Sequence, residues 1–544
     1  MLDAGFREAI VRIVGTNGYS DDIALRELYS HDIWSKGATA EFVVAPASTM
    51  ELSGVVAAAA AREIPLFPRG GGMSYTNGYL SSTPGGGVVD FSRLSRIVEV
   101  NAADMYVTVE AGCTWDTLNS ALAGQGLRTP FWGPLSGISS TIGGGLSQNN
   151  AFFGAGVHGP TSDSVISLAI VTGEGDIIRT GTAGADGGRP FWRHYGPDLA
   201  GLFLGDAGAL GFKAEATLRL VPAPSHEDWA SFEFKGRDAC ADATAAVARQ
   251  NVACEVFAFD PNLQRVRMKR ASLAADAKSL ANVVRKQGSV FGGLKEGAKI
   301  ALAGRSFMAN AAYSLHFVVE GPSNAGVREN IACLKRICET HGGREIENSI
   351  PKIIRANPFT PLNNMLGPSG ERWTPVHGIV PLSQGSATWR EIDDLFDSMQ
   401  QTFDRHDILT GYLVTTLSTN GYLVEPVFIW PEEIFPVHEA SVERSWLDRL
   451  PRHPANPEAT AVVAEARRAV IDVFKRRGGA HFQIGRTYPF FETRSPEARA
   501  LLMTLKQALD PKGIVNPGAL GLAGTNARLT GARSLTPTDK EDAP

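Results

Sequence analysis

What most constrains this chain is where its glycines fall. There are 58 among 544 residues, against a usual share of ~7%. They follow no G-X-Y period, so a collagen-like rod is excluded. They gather instead in clusters beside strand-like text. The first, Gly70-Gly71-Gly72, follows the apolar run PLFP. Consecutive glycines let backbone N–H groups converge on one anion, typically a phosphate, although a plain loop reads the same way. The second runs from Ser139 through Gly143, Gly144 and Gly145 to Gly154, Gly156 and Gly159. Short polar side chains interleaved with glycine suit a backbone laid along a ligand. A flexible linker has similar composition, but this cluster leads into the strand pattern SVISLAIV. The third, Gly205 to Gly211, again precedes a strand. No G-K-[ST] follows the first run, and no G-x-G-x-x-G opens a helix in a leading βαβ unit, so neither a P-loop nor a dinucleotide fingerprint fits.

Composition removes other classes. Hydrophobic residues make up 43%, enough for sizeable cores, and 52 Lys+Arg stand against 57 Asp+Glu, which argues against a nucleic-acid binder. Cys113, Cys240, Cys254, Cys333 and Cys338 are too few and too irregular for a disulfide framework or a metal-ligand spacing. The start MLDAGFREAIVRIVG does not read as a signal peptide. The longest apolar stretch, near Leu52 to Ala61, falls short of the ~20 residues of a membrane span. A cytoplasmic protein is the expectation.

Along the chain, FVVAP reads as a strand and STMELSGVVAAAAAREI as a helix, with Ser48 as N-cap and Glu51 completing a capping box. Residues 222–450 show longer helices and fewer glycine clusters, and AYSLHFVVEG, TPVHGIVPLS and GYLVTTLST read as strands of a mixed sheet. The polar text from about Gly524 reads as disordered.

Order and spacing together carry a resemblance. PASTMELSGVVAAAAAREIPLFPRGGGMSYTNG, VTVEAGCTWDTLNSALAGQGL, GGGLSQNNAFFGAGVHGPTSDSVISLAIVTGEGDIIRTG, GDAGALGF and DPKGIVNPGAL resemble blocks of the FAD-binding family named after vanillyl-alcohol oxidase and para-cresol methylhydroxylase. Glycolate oxidase and D-lactate dehydrogenase subunits are also members. The resemblance covers about residues 42–220 and the C-terminal end. It implies an α+β fold: a two-subdomain FAD-binding unit at 1–221, a substrate cap at 222–480 with a mixed or antiparallel sheet flanked by helices, a returning segment at 481–523 and a disordered tail at 524–544.

The resemblance also implies cofactor contacts. Pro68, Arg69, Gly70, Gly71, Gly72, Met73 and Ser74 form the pyrophosphate loop. Pro134, Ser140, Thr141, Gly144, Gly145, Gln148, Asn149, Gly154, Gly156 and His158 follow in the second block, Gly208 and Gly211 in the third, and Asn516 in the terminal one. Some relatives attach the flavin through a histidine directly after the glycine run. That place holds Met73, so non-covalent FAD is expected, with His377 as the exception to watch.

For chemistry, the stretch Ala480 to Tyr488 resembles the segment that brings active-site groups back to the flavin. His481 is the expected base, Arg486 the group that stabilises reduced flavin or binds a carboxylate, and Tyr488 the group that orients substrate. Tyr422 and Glu425 are expected to face the flavin from the cap, and Arg372 or Arg355 to bind an acidic substrate group. The bland readings are a packed strand histidine, a helix-end arginine and half-buried strand residues. Tyr75, Tyr79 and Tyr412 are further polar candidates. Where phenol oxidases carry a Tyr-Arg pair, this chain has Phe482-Gln483, and Gln148 stands in place of an acidic residue. The His-rich motif of metal-dependent hydroxy-acid dehydrogenases is absent, so no metal is expected.

The implied function is an FAD-dependent oxidoreductase moving a hydride from an organic alcohol or hydroxy acid, aromatic ones included, to flavin N5. Oxygen or another electron acceptor reoxidises the flavin. A vanillyl-alcohol or 4-alkylphenol oxidase or hydroxylase is one alternative, and non-redox adduct chemistry, as in alkylglycerone-phosphate synthases, is another. The expected partners are a small-molecule substrate and the acceptor, with no nucleic acid, no membrane span, and a homodimer as the candidate assembly.

Overall fold

The computed structural model describes residues 4–270 and 312–522. The tail at 524–544, and residue 523 of the returning segment, lie outside the described residues. Strands β1 (Tyr19–Ser20), β2 (Phe42–Val44), β3 (Leu66–Arg69) and β4 (Gly87–Asp90) form a sheet in the order β1-β2-β4-β3. The pairs β2/β4 and β3/β4 are parallel. Such strands are covered on both faces, so they read as continuous apolar runs, and Phe42, Val43 and Val44 are all buried. Helix α1 (Thr49–Ala60) begins as its sequence dictates: Ser48 Oγ accepts from the Glu51 N–H at 3.1 Å. The Glu51 carboxylate reaches one residue further back than a capping box requires, accepting from Ala47 N–H at 2.8 Å.

A second sheet is antiparallel throughout. It holds β5 (Ile97–Asn101), β6 (Tyr106–Glu110), β7 (Val165–Val171), β8 (Ile177–Arg179) and β9 (Phe212–Arg219), in the order β5-β6-β9-β7-β8. The glycine clusters sit where these strands begin or end. Gly70 follows β3, Gly211 precedes β9, and Gly143 to Gly145 fall within the short helix α2 (Ile142–Gln148), capped by Thr141.

The middle of the chain builds an eight-stranded sheet. Its strands are β10 (His226–Phe234), β11 (Ala253–Phe259), β12 (Tyr313–Gly321), β13 (Arg344–Ile346), β14 (Arg372–Pro375), β15 (Gly378–Pro381), β16 (Leu409–Leu417) and β17 (Gly421–Trp430). All its pairs are antiparallel. The fold is α+β, and of the two sheet forms expected for the cap it takes the antiparallel one. A tight turn with Ser418 at φ 51° joins β16 to β17, which makes a hairpin rather than a crossover. The text TPVHGIVP splits into β14 and β15 on either side of Val376-His377.

Period-two alternation gives the sheet two faces. Val256, Phe317, Val414, Tyr422, Val424 and Phe428 pack against the helices Arg237–Ala248, Gly385–Arg405 and Pro457–Arg476. Phe259, Leu413, Glu425, Val427 and Ile429 turn the other way, onto a cavity whose far wall is the glycine loops.

Candidate functional site

The cavity has a volume of about 280 Å³ and is continuous with solvent. One end is lined by Pro68, Gly70 to Ser74, Ser140, Thr141, Gly143 to Gly145, Gln148, Gly208 and Gly211. The other is lined by Phe152, Phe259, Leu263, Leu362, Met365, Trp373, Leu413, Glu425, Val427, Ile429 and Phe482.

The glycine end has the chemistry of an anion cradle. No described acceptor takes the backbone N–H of Gly70, Gly71, Gly72, Met73, Ser74 or Tyr75. A run of unpaired donors facing a cavity invites a pyrophosphate. The glycines are required by close approach: a Cβ on Gly71 would stand 1.9 Å from the Ser139 carbonyl oxygen, and one on Gly70 2.4 Å from Thr141 Oγ1. Gln148 Oε1 is buried and unpartnered on the same wall. These residues fit a dinucleotide flavin. Arg69 lies behind the loop rather than in the cavity, its guanidinium stacked over Tyr29 at 4.2 Å and Tyr79 at 4.9 Å.

Residues 40–181 match the model of the FAD binding domain, and 488–520 that of the FAD linked oxidases, C-terminal domain. The chain carries an FAD-binding domain and a C-terminal segment of the FAD-linked oxidase type. That FAD-binding domain holds the first two glycine clusters that line the cavity, and the third follows it in sequence at Gly208 and Gly211. Among curated proteins the chain is 31% identical over 248 residues to glycolate oxidase subunit GlcD of Bacillus subtilis (strain 168), covering 45% of this chain and 51% of that one. It is 31% identical over 212 residues to the mitochondrial D-lactate dehydrogenase [cytochrome] of Arabidopsis thaliana, covering 39% and 36%. The chain thus spans about half the length, or less, of these curated relatives. The solved p-cresol methylhydroxylase with substrate bound superposes with a TM-score of 0.70 at 16% identity, over 96% of this chain and 98% of that one. An alkyldihydroxyacetonephosphate synthase superposes at 0.66, also at 16% identity, over 95% and 85%. These two likenesses show a shared fold.

Several sequence expectations place differently. Asn149, Gly154, Gly156 and His158 do not line the cavity. Gly154 and Gly156 let the helix Ala155–His158 pack tightly: a Cβ would meet Pro130 O at 2.3 Å and Ala253 O at 2.4 Å respectively. Asn149 is the left-handed C-cap of α2, and its Oδ1 accepts from Ser162 N–H. Burial lowers the His158 pKa to about 4. Asn516 also stands outside the lining, where its Nδ2 donates to Gly78 O at 2.8 Å and Ala207 O at 2.6 Å, tying two cavity loops together.

The segment expected to carry catalysis turns its reactive side chains away from the cavity. Arg486 donates to Asn516 Oδ1 at 2.6 Å, to Pro517 O at 2.8 Å and to Asn77 O. His481 Nδ1 pairs with His377 O at 2.7 Å, and its ring stacks on Tyr488 at 4.1 Å. Burial lowers the His481 pKa to about 4, so it is neutral. Tyr488 OH accepts from His377 N–H at 2.9 Å. The members of this segment that reach the cavity are Phe482 and Gln483. Gln483 has φ 50°, a left-handed conformation that breaks strand alternation at that point.

In the cap, Tyr422 is fully buried against Gly385, whose Cβ would stand 2.6 Å from the ring. Tyr422 and Glu425 differ by an odd number of strand positions, so they cannot share a face, and Glu425 is the one that faces the cavity. The same parity excludes Arg372 and selects Trp373. The Arg372 guanidinium stacks on Phe435 at 3.9 Å and donates to Trp34 O. Arg355 is bound by Glu227, Glu255 and Glu320.

Glu425 is half-buried, and its open area faces the cavity rather than bulk water. It has no hydrogen-bond or ion-pair partner among the described residues, and loss of hydration raises its pKa to about 8. Tyr75, on the opposite wall, accepts from Gln483 Nε2 at 3.2 Å and packs edge-on to Trp373. Its pKa is raised well above the usual value by burial first and then by the Glu425 charge. Tyr75, one of the further polar candidates named from the sequence beside the glycine loop, lines the cavity. Among the described residues, no group of His, Cys, Asp and Glu could hold a metal ion, and no helix is long and apolar enough to cross a membrane.

Proposed function

We propose that this chain is an FAD-dependent oxidoreductase acting on an organic substrate with an apolar body. The carrying observation is one continuous cavity that, among the described residues, joins a cradle of unpaired N–H groups to an apolar chamber holding one carboxyl group, Glu425. Bound FAD supplies the two-electron acceptor, and oxygen or another acceptor restores it. Gly70 to Ser74 hold the pyrophosphate by backbone donors. Phe152, Phe259, Trp373 and Phe482 exclude water from the reacting carbon. Glu425, Tyr75 and Gln483 bind the polar end of the substrate, and the Glu425 carboxylate takes its proton. The reading covers oxidation at a carbon bearing a hydroxyl and benzylic oxidation alike. Met73 after the glycine run, and His377 sealed behind Phe482 at a ring distance of 4.0 Å, support a flavin held without a covalent bond.

The test is anaerobic mixing of the FAD-loaded protein with alcohols, hydroxy acids and 4-alkylphenols. Loss of flavin colour with one of them, and its return in air or with a dye, supports the reading. Retention of colour across all three classes counts against it.

A further inference from the structure

Phe191, Trp192 and Tyr195 are the exposed aromatic residues among those described, at 58%, 56% and 68% of their full surface, and Leu199 joins them at 46%. All four belong to the loop that follows β8, the edge strand of the second sheet. None of the loop's residues lines the cavity. At the ~150–250 Å² of an aromatic side chain, the four leave roughly 400 Å² of apolar surface in water. A contiguous patch of that size marks a functional surface more often than a bystander.

The loop is held in this shape. Thr182 Oγ1 donates to Arg189 O at 2.6 Å and accepts from Trp192 N–H at 3.2 Å, and Thr182 N–H donates to Trp192 O at 2.9 Å. A Cβ on Gly188 would stand 2.0 Å from Thr182 O, so the loop closes tightly on itself. Arg193 is pinned by Asp198 at 2.8 Å and by Ser162 O at 2.7 Å. These bonds order rings that gain little burial within one chain. Rings already fixed in place lose less freedom on docking, and aromatic residues are enriched at the centres of interfaces.

Charge narrows the occupant. With Arg193 paired to Asp198, Asp186 and Arg189 are the loop's remaining full charges. Both are exposed, and neither side chain has a hydrogen bond or ion pair among the described residues. The loop is therefore neutral as a unit, on a chain of net charge −5. It offers no net attraction to an anionic lipid surface. It does offer two acidic copies of this chain a place to meet without local repulsion.

We propose that this loop is the contact between two copies of the chain related by a two-fold axis. In such a contact the same patch meets itself. The aromatic rings pack on their counterparts, Asp186 pairs with the partner's Arg189, and Arg189 pairs with the partner's Asp186. The apolar side chains of both copies together cover roughly 800 Å², and the polar rim brings the contact to the ~1,000 Å² that a specific interface needs. The cavity stays open, since the loop does not line it. The contact is independent of the oxidoreductase reading.

The test is the mass of the full-length, FAD-loaded protein in solution, read by sedimentation velocity and light scattering over a dilution series. A dimer that dissociates on dilution is expected. Trp192→Asp and Tyr195→Asp are each expected to weaken association at least ~10-fold, with melting temperature and flavin content unchanged. Leu501→Asp, at a residue 61% exposed on the helix Pro496–Leu509, is the control and should leave association as it is. Asp186→Arg and Arg189→Asp singly set like charges against each other and are expected to weaken the dimer, and the double variant to restore it. A protein that is monomeric throughout the series overturns the proposal. So does a dimer unaffected by both aromatic variants, or a monomer that sediments with phosphatidylcholine vesicles. A double charge variant as weak as the single ones overturns the two-fold pairing.

Discussion

The side-chain amide of Gln483 donates to the phenolic oxygen of Tyr75 at 3.2 Å, across 408 residues of sequence. The bond joins the loop after β3 to the returning C-terminal segment at the wall of the cavity. It leaves the Tyr75 hydroxyl hydrogen free for a ligand or for Glu425. Tyr75→Phe is therefore expected to keep FAD and to change stability by no more than about 1 kcal/mol, while lowering kcat/KM by ~10–100-fold. Steady-state kinetics with the best substrate from the panel checks this. An unchanged kcat/KM would remove Tyr75 from the site.

Glu425 makes a pH signature. The folded chain keeps its proton up to about pH 8, whereas an ordinary glutamate loses it near 4.5. Between those values the folded state binds more protons than the unfolded one. The stabilisation is thus complete below about pH 4.5 and is lost as pH rises toward 8. Tyr75, on the opposite wall, is kept neutral by burial. Glu425→Gln is expected to flatten the fall in melting temperature between pH 5 and pH 8, removing a slope of up to ~1.4 kcal/mol per pH unit. Parallel melting curves for parent and variant across that range would contradict the assignment.

Gly71 has no room for a side chain, because a Cβ would stand 1.9 Å from a backbone oxygen. Gly71→Ala is expected to yield protein with little bound flavin, seen as a reduced ratio of visible to ultraviolet absorbance. Gly124→Ala, at the end of the helix Trp115–Ala123 and with nothing near its Cβ position, is the control. It should retain flavin and lose no stability.

Arg486 serves as a clamp between Asn77, Asn516 and Pro517, with its pKa lowered to about 10 by burial. Arg486→Met is expected to cost about 3 kcal/mol of stability and to weaken FAD retention. The rate of flavin reduction, measured at saturating FAD, should stay near that of the parent. A collapse of that rate in an FAD-saturated, folded variant would instead place the cation at the reacting ring.

Acid precipitation tests the linkage. The cavity presents Met73 after the glycine run, while His377 is enclosed by Phe482 and Tyr488. The yellow colour is expected in the supernatant, and a yellow pellet would show a covalent flavin.

The glycine wall of the cavity was legible because its requirement is local. Consecutive glycines with free N–H groups form an anion cradle whatever surrounds them, and Gly70 to Ser74, Gly144, Gly145, Gly208 and Gly211 all reach the cavity. Gly154 and Gly156 look the same in sequence, yet their lack of a side chain serves helix-to-sheet packing. A bare backbone approached by a ligand cannot be told from one approached by another backbone until the neighbour is known.

By itself, then, the sequence determined the glycine-rich cradle, the order of its blocks and the α+β class, all set by backbone permissiveness and by the periodicity of buried faces. Only the tertiary structure decided which polar groups meet in the chamber. Parity along β17 and β14 chose Glu425 over Tyr422 and Trp373 over Arg372. The left-handed turn at Gln483 carried Phe482 and Gln483 into the cavity and left His481, Arg486 and Tyr488 behind it. The physical reason is that a side chain's direction depends on which face of its element is already taken by the core, and that is fixed by packing among residues hundreds of positions apart.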